Sequence, residues 1–143
     1  MEKSFHYMLM AIQSLVHKSL LSRLKDTGLT AGQPKILEYL YYHNGASQKE
    51  IASGCHIEAG SLTSLLNRME ENHLVQRQML NGNRRSYYIF LTDKGSGLAD
   101  LVIKQFKEIE AEIWKDFSEN DVQNFLESFS HIYEHLLPKE EAK

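Results

Sequence analysis

The stretch that decides the fold is GSLTSLLNRM, residues 60–69. Its apolar residues recur at helical spacing and would share one stripe of an α-helix: Leu62, Leu65, Leu66 and Met69. The opposite side carries Gly60, Ser64 and Asn67, flanked by Thr63 and Arg68. A helix that needs only to be soluble usually carries Glu and Lys there. Short hydrogen-bonding groups suit a helix that lies against another polar surface, such as the base-pair edges of a DNA major groove.

A shorter helix is predicted just upstream, where residues 46–52 read ASQKEIA. Ser47 and Glu50 have the spacing of a capping box, in which each side chain accepts a hydrogen bond from the other residue's backbone. The sequence Gly54-Cys55-His56 is expected to end this helix. Two helices joined by a short, glycine-containing turn are typical of the helix-turn-helix, whose second helix is the recognition helix.

A β-hairpin is predicted downstream. Residues 74–79 (LVQRQM) and 86–91 (SYYIFL) are rich in β-branched and aromatic residues, as strands are. Between them, Asn81-Gly82 is a strong turn signal because both residues tolerate positive φ. The hairpin tip carries Arg84 and Arg85, and residues 72–92 hold three arginines and no acidic residue. The sequence therefore predicts a winged helix-turn-helix.

The order of these segments resembles the MarR family of bacterial regulators. The matching motifs extend over most of the chain: LT at 29–30, SQKEIA at 47–52, the helix at 61–69, LVQR at 74–77, RR at 84–85 and LTDKG at 91–95. The resemblance implies a homodimeric DNA-binding regulator whose affinity for DNA is often changed by a small ligand or by oxidation. The family's wing often carries Asp-x-Arg, whereas this chain has Asn83 and Arg85 at the matching positions. Glu58 also occupies the expected cap of the recognition helix, where Ser is usual.

Long apolar helices flank the winged region. The first is predicted over about residues 4–25, a second is expected to be capped by Thr30 with Gln33, and a long helix should run from Thr92 to near Phe117. Ser118 is expected to cap the last helix, which has a regular apolar stripe. We predict a mainly α fold with a small β-wing, in a single domain of residues 1–143. The winged core would span about 30–92, with a helical dimerisation layer formed by both chain ends, at about 4–26 and 93–137.

The charge distribution, hydropathy and cysteine count are those expected of a cytoplasmic protein. Its net charge is −3, with eleven Lys and Arg against eight Asp and Glu in residues 1–99, and five against eleven in residues 100–143. The cations are therefore concentrated in the half predicted to face DNA. No run of apolar residues approaches the length of a membrane span, and a single cysteine excludes an internal disulfide. We expect a cytoplasmic, nucleoid-associated protein with no membrane partner.

Two residue groups offer competing functions. Glu127, His131 and His135 share one helical face and could bind a metal, although that face borders the apolar stripe and no fourth ligand is evident. Cys55 with His56 could form a redox pair. Cys55 lies at a turn where a small apolar residue fills the core, and the MarR family's sensing cysteine lies in the first helix, where this chain has none. No catalytic motif is present, so we predict no enzyme, cofactor or metal site.

The sequence thus predicts a regulator, in particular a repressor, that binds double-stranded DNA as a homodimer on an inverted repeat. A small aromatic effector is expected where the first, second and fifth helices meet, near His17, Tyr39 and Tyr42. The alternative for this site is that these residues fill core, since large aromatic side chains pack well without a ligand. The alternatives are a winged protein-interaction module without DNA binding, and a regulator that senses metal or redox state. The candidate DNA contacts are Ser47, Gly60, Ser61, Thr63, Ser64, Asn67, Arg68, Arg77, Asn83, Arg84 and Arg85.

Overall fold

The computed structural model describes residues 3–80 and 86–138. The chain divides into two compact units, one ending at Ile109 and the other beginning at Glu110. The mainly helical fold with a small antiparallel sheet is confirmed. Its elements are α1 (Phe5–Arg23), α2 (Gln33–Tyr42), α3 (Gln48–Cys55), α4 (Ala59–Glu71), β1 (Val75–Gln78), β2 (Tyr88–Leu91), α5 (Asp93–Ile113) and α6 (Glu119–Leu136).

The sheet fixes the start of α3 as well as the wing. β1 and β2 pair antiparallel, with Val75 opposite Leu91. The loop before α3 adds to β2, because Gly45 N donates to Ile89 O at 2.8 Å and Ile89 N donates to Ala46 O at 2.9 Å. The sequence did not predict this third segment, since a loop this short shows no strand periodicity.

The start of α2 differs from the prediction. The predicted capping box at Thr30 is wrong, because the helix begins at Gln33 and its N-cap is Gly32 with φ +124°. Gln33 is buried, and its Oε1 accepts from Thr30 N at 3.1 Å, so the pair closes a turn ahead of the helix. Gly32 permits a backbone conformation that side chains disfavour, and Pro34 suits a first turn whose N–H groups lack helical partners.

The turn between α3 and α4 lies where it was predicted, but a different residue makes it. α3 continues through Cys55, and its C-cap is His56 in the left-handed region with φ 54°. Gly54 is helical, and a Cβ atom there would lie 2.2 Å from Tyr39 Cε1. Gly54 therefore allows α3 to approach α2 closely, while His56 turns the chain.

The apolar stripe of α4 is confirmed. Leu62, Leu66 and Met69 are fully buried, and Leu65 is half-buried. Burying a large apolar side chain contributes roughly 1.5–3 kcal/mol, so the stripe fixes the rotation of α4 and keeps its polar side outward. The same core contains these residues from α2, α3 and β2: Ile36, Leu37, Leu40, Ile51 and Ile89.

The start of α5 lies against the backbone that precedes β1. Thr92 Oγ1 accepts from Gly95 N at 3.0 Å and donates to His73 O at 2.5 Å, as expected of a capping residue. A Cβ atom on Gly95 would lie 1.9 Å from Leu74 O. Only glycine allows this approach, which couples the start of α5 to the wing.

The second unit contains α6, whose predicted cap is confirmed. Ser118 Oγ accepts from Asp121 N at 3.1 Å. The centroid of the Phe125 ring lies 5.7 Å from the ring centroid of Trp114 and 5.1 Å from that of Phe129. No residue of α6, which the structure describes in full, is buried within the chain. In the described ranges, no helix has the length and apolar character to cross a membrane.

Candidate nucleic-acid interface

The polar side of α4 forms one exposed surface. Six of the candidate contacts are solvent-exposed there: Gly60, Ser61, Thr63, Ser64, Asn67 and Arg68. The helix begins after Glu58, whose side chain makes no capping hydrogen bond. The negative charge of Glu58 interacts favourably with the positive N-terminal end of the helix dipole, but it repels phosphate groups. This surface can present hydroxyl, amide and guanidinium groups to a polar partner.

Thr63 is tied to α3 through Gln48. The Thr63 hydroxyl donates to Ala59 O at 3.0 Å, one turn earlier in the same helix. It also accepts from Gln48 Nε2 at 2.8 Å. Sequence reasoning missed Gln48, because the bond depends on how α3 and α4 cross. Gln48 immediately follows the predicted cap Ser47, and that position was the only signal available.

Arg77 and Asn67 are paired with each other. Arg77 Nη1 donates to Asn67 Oδ1 at 2.7 Å, and Nη2 donates to Thr63 O at 3.3 Å. The same guanidinium lies 3.6 Å from a carboxylate oxygen of Glu70, and the Arg77 side chain is only 16% exposed. This geometry favours a supporting role for Arg77 over the direct DNA contact predicted from the sequence. A bidentate contact between Asn67 and adenine would use the same Oδ1 atom that Arg77 occupies.

Ser47 forms the predicted capping box with Glu50. Ser47 Oγ accepts from Glu50 N at 3.1 Å, and Glu50 Oε1 accepts from Ser47 N at 3.0 Å. The hydrogen bond from the Ser47 backbone, followed by that from its side chain, holds the pKa of Glu50 below its usual value. The Ser47 side chain is therefore engaged in the cap of α3, and its contact with DNA stays a prediction.

The wing tip lies outside the described residues. Asn83, Arg84 and Arg85 fall in the gap between residues 80 and 86. Their predicted contact with DNA therefore stays a prediction. The strands on both sides of this gap are described, and they pair from Val75 with Leu91 to Gln78 with Tyr88.

The predicted effector residues do not come together as a set. Tyr39 and Tyr42 line a pocket of about 240 Å³, but the other lining residues lie on α2, in the loop after it and on α3, and His17 is not among them. Tyr39 and Tyr42 are three residues apart and share the side of α2 nearest α3. Tyr39 and Tyr42 thus line a pocket between α2 and α3, and the effector site expected where α1, α2 and α5 meet stays a prediction.

Cys55 contributes to the same pocket but is poorly suited to react. Its Sγ atom lies 3.7 Å from Lys35 O, and the residue is 3% exposed. Burial raises the pKa of Cys55, so little thiolate is present near neutral pH. This environment is that of a structural cysteine.

The metal alternative gains no geometric support. Glu127, His131 and His135 are all exposed on α6. Within residues 3–80 and 86–138, no group of three or more His, Cys, Asp or Glu side chains is placed to hold a metal ion.

Known proteins resemble this chain in sequence and fold. The family model described as MarR family matches residues 29–87. The HTH-type transcriptional regulator PecS of Dickeya dadantii is 32% identical over 91 residues, 64% of this chain and 55% of PecS, so the chain spans about half of that relative. The uncharacterized HTH-type transcriptional regulator YwoH of Bacillus subtilis is 29% identical over 123 residues, 86% of each chain. A Listeria monocytogenes structure complexed with 26mer DNA matches with a TM-score of 0.89 at 19% identity, over 94% of this chain and 90% of that one, and shares its fold.

Proposed function

We propose that this chain is a transcriptional regulator of the MarR family, whose model it matches over residues 29–87, and not an enzyme. We further propose that it is a repressor that binds double-stranded DNA sequence-specifically as a homodimer. The observation that carries the proposal is the two-sided structure of α4. Its apolar stripe is buried, while its short polar side chains and Arg68 are exposed on the opposite side. A rigid helix with that outer surface fits a major groove, where hydroxyl, amide and guanidinium groups read base edges.

The proposed contacts divide into two groups. Ser61, Ser64 and Arg68 on α4 meet base edges and adjacent phosphates. Arg84 and Arg85 at the wing tip meet the backbone beside the minor groove, with Asn83 as the neutral neighbour of Arg85. The Listeria monocytogenes structure of the same fold is a DNA complex, which supports this use of the fold.

A second copy of this chain is the proposed partner of the exposed apolar residues. On α6, Phe125 is 49% exposed and Phe129 is 42% exposed, although both are large and stacked. On α1, Phe5, Ile12 and Leu15 are also exposed. Apolar surface of this kind on a soluble protein marks an interaction site.

The dimer is tested with matched lysine substitutions. Phe125→Lys should shift the protein from dimer to monomer in analytical ultracentrifugation, because a charge would be buried in the interface. Asn124→Lys, at an exposed polar position on the same helix, should leave the dimer intact. A wild-type monomer at micromolar concentration would refute the dimer.

Selection of bound duplexes in vitro tests the DNA-binding function. Two recognition helices related by a two-fold axis should select an inverted repeat with half-site centres about 10 bp apart. Selected sites without dyad symmetry would refute the dimeric arrangement.

Arg84→Ala and Arg85→Ala should each reduce the dependence of log K on log salt by about one unit per phosphate contact removed. Absence of any salt-dependent binding to duplex DNA would favour the protein-interaction module.

A small aromatic anion is the proposed effector. Tyr39 and Tyr42 provide aromatic walls to the pocket between α2 and α3, and Lys35 and His43 are groups able to bind a carboxylate. Glu38 also lines the pocket, so the anion must bind on the side of Lys35 and His43. A ligand weakens DNA binding only if it prefers a conformation that does not fit the groove. Thermal-shift screening of phenolic acids, followed by gel shift, tests the proposal. A compound that stabilises the protein yet leaves DNA affinity unchanged would refute the coupling.

A further inference from the structure

Thr63 lies on the exposed side of α4 with its hydroxyl turned toward the protein. A hydroxyl has one proton to donate, and that of Thr63 is used in the bond to Ala59 O at 3.0 Å. One lone pair is used by Gln48 Nε2 at 2.8 Å. The residue is nevertheless exposed. With its oxygen engaged by two protein groups, Thr63 has its methyl group left to offer a partner.

We propose that Thr63 recognises thymine through its methyl group, and that Gln48 is the positioning residue that keeps this methyl outward. The inference rests on the proposed DNA-binding function. Among the four bases, thymine alone presents a methyl group in the major groove, and apolar contact with it is a recognised form of direct readout. The hydroxyl has no proton left for a base acceptor, so hydrogen-bond donation by Thr63 is excluded.

Gln48 is well placed to hold Thr63. Its backbone N donates to Tyr87 O at 2.9 Å, which anchors the first residue of α3 to the wing. Its half-buried side chain therefore reaches Thr63 from a fixed backbone. Together with the bond to Ala59 O, this contact holds the Thr63 side chain in one rotamer. Without Gln48 the side chain could turn and move its methyl away from the base.

The experiment replaces single thymines of a selected site with uracil, which lacks only the methyl group. Wild-type protein should lose about threefold to fourfold in affinity at one thymine of each half-site, which is the contribution of one buried methyl group. Thr63→Val keeps a methyl and removes the hydroxyl, so it should retain this discrimination. Thr63→Ser keeps the hydroxyl and removes the methyl, so it should bind both duplexes equally.

Double substitution tests the role of Gln48. Gln48→Ala should reduce the thymine-to-uracil ratio in the wild-type background. It should have no effect on the ratio in Thr63→Val, because valine presents a methyl at either γ position. A purely structural role for Gln48 would change thermal stability without this rescue. Thermal unfolding of each variant establishes that it is folded.

Several results would overturn the inference. Selected half-sites without thymine, or full tolerance of uracil by the wild type, would show that no methyl is read. Loss of discrimination in Thr63→Val together with its retention in Thr63→Ser would show that the thymine methyl is read by a group other than the Thr63 methyl. Failure of the wild type to bind any duplex would instead refute the proposed function itself.

Discussion

Replacing Arg77 with Met should destabilise the fold while sparing the electrostatics of DNA binding. The change removes a 2.7 Å bond to Asn67 Oδ1 and a 3.3 Å bond to Thr63 O from a side chain that is only 16% exposed. A hydrogen bond to a charged group contributes about 1.5–3 kcal/mol to the free energy of unfolding. The ion pair between Arg77 and the half-exposed Glu70 contributes only about 0–1 kcal/mol. Both acceptors are exposed and can bind water instead, and Met keeps most of the apolar stem, so the loss should fall below the sum of two such bonds, at about 2–3 kcal/mol, or about 5–10 °C in Tm.

The assay pairs urea unfolding with DNA binding at several salt concentrations. Arg68→Ala is the matched control, because Arg68 lies exposed on α4, the helix that Arg77 contacts from β1. It should change stability by no more than about 0.5 kcal/mol and reduce the salt slope by about one unit. Arg77→Met should do the reverse, with lower stability and an unchanged slope. The reasoning is refuted if Arg77→Met unfolds like the wild type and reduces the slope by one unit.

Four further predictions concern the scaffold. Gly95→Ala should destabilise the protein by about 2 kcal/mol or more, because its Cβ would meet Leu74 O, whereas Gly97→Ala, whose Cβ meets nothing within 4 Å, should be neutral or stabilising in thermal unfolding. Ser47→Ala should cost about 1 kcal/mol. The pKa of Glu50 is lower in the folded than in the unfolded protein, so its carboxylate stabilises the fold at pH values above the unfolded pKa. This stabilisation is lost as the pH falls through the folded pKa, so Glu50→Gln should equal the wild type in stability only in acid. Cys55 should react with iodoacetamide far more slowly than a free thiol until urea unfolds the protein, and a native rate equal to that of glutathione would reopen the redox alternative.

Local patterns were sufficient to predict the helices and the hairpin. The stripe of α4 was visible because burial at every third or fourth position leaves a period in the sequence. The caps at Ser47 and Ser118 were visible because each requires a side chain at a fixed distance along the chain. Both kinds of signal involve neighbours in sequence, so no knowledge of tertiary packing was needed.

Some residues have roles that the sequence does not show, because those roles depend on contacts between elements. Gly54 resembled a helix breaker, but its lack of a side chain serves the approach of Tyr39. Arg77 resembled a free cation among other arginines, but it is folded onto α4. A sequence shows which groups can form hydrogen bonds, whereas the crossing of the elements decides which groups meet. The sequence was therefore sufficient to assign the candidate site to α4. It could not show which polar side chains of α4 form hydrogen bonds within the protein.

Thr63 is the point at which α4 is held from two sides. Gln48 on α3 reaches its hydroxyl, and Arg77 on β1 reaches its backbone oxygen. Rotation of α4 against either neighbour would break one of these bonds as well as expose the buried stripe. An effector therefore gains little by reshaping one winged region from within. In the proposed dimer, the spacing between the two recognition helices can change more easily than the orientation of α4 within one chain. A ligand that prefers a different spacing weakens binding to both half-sites together.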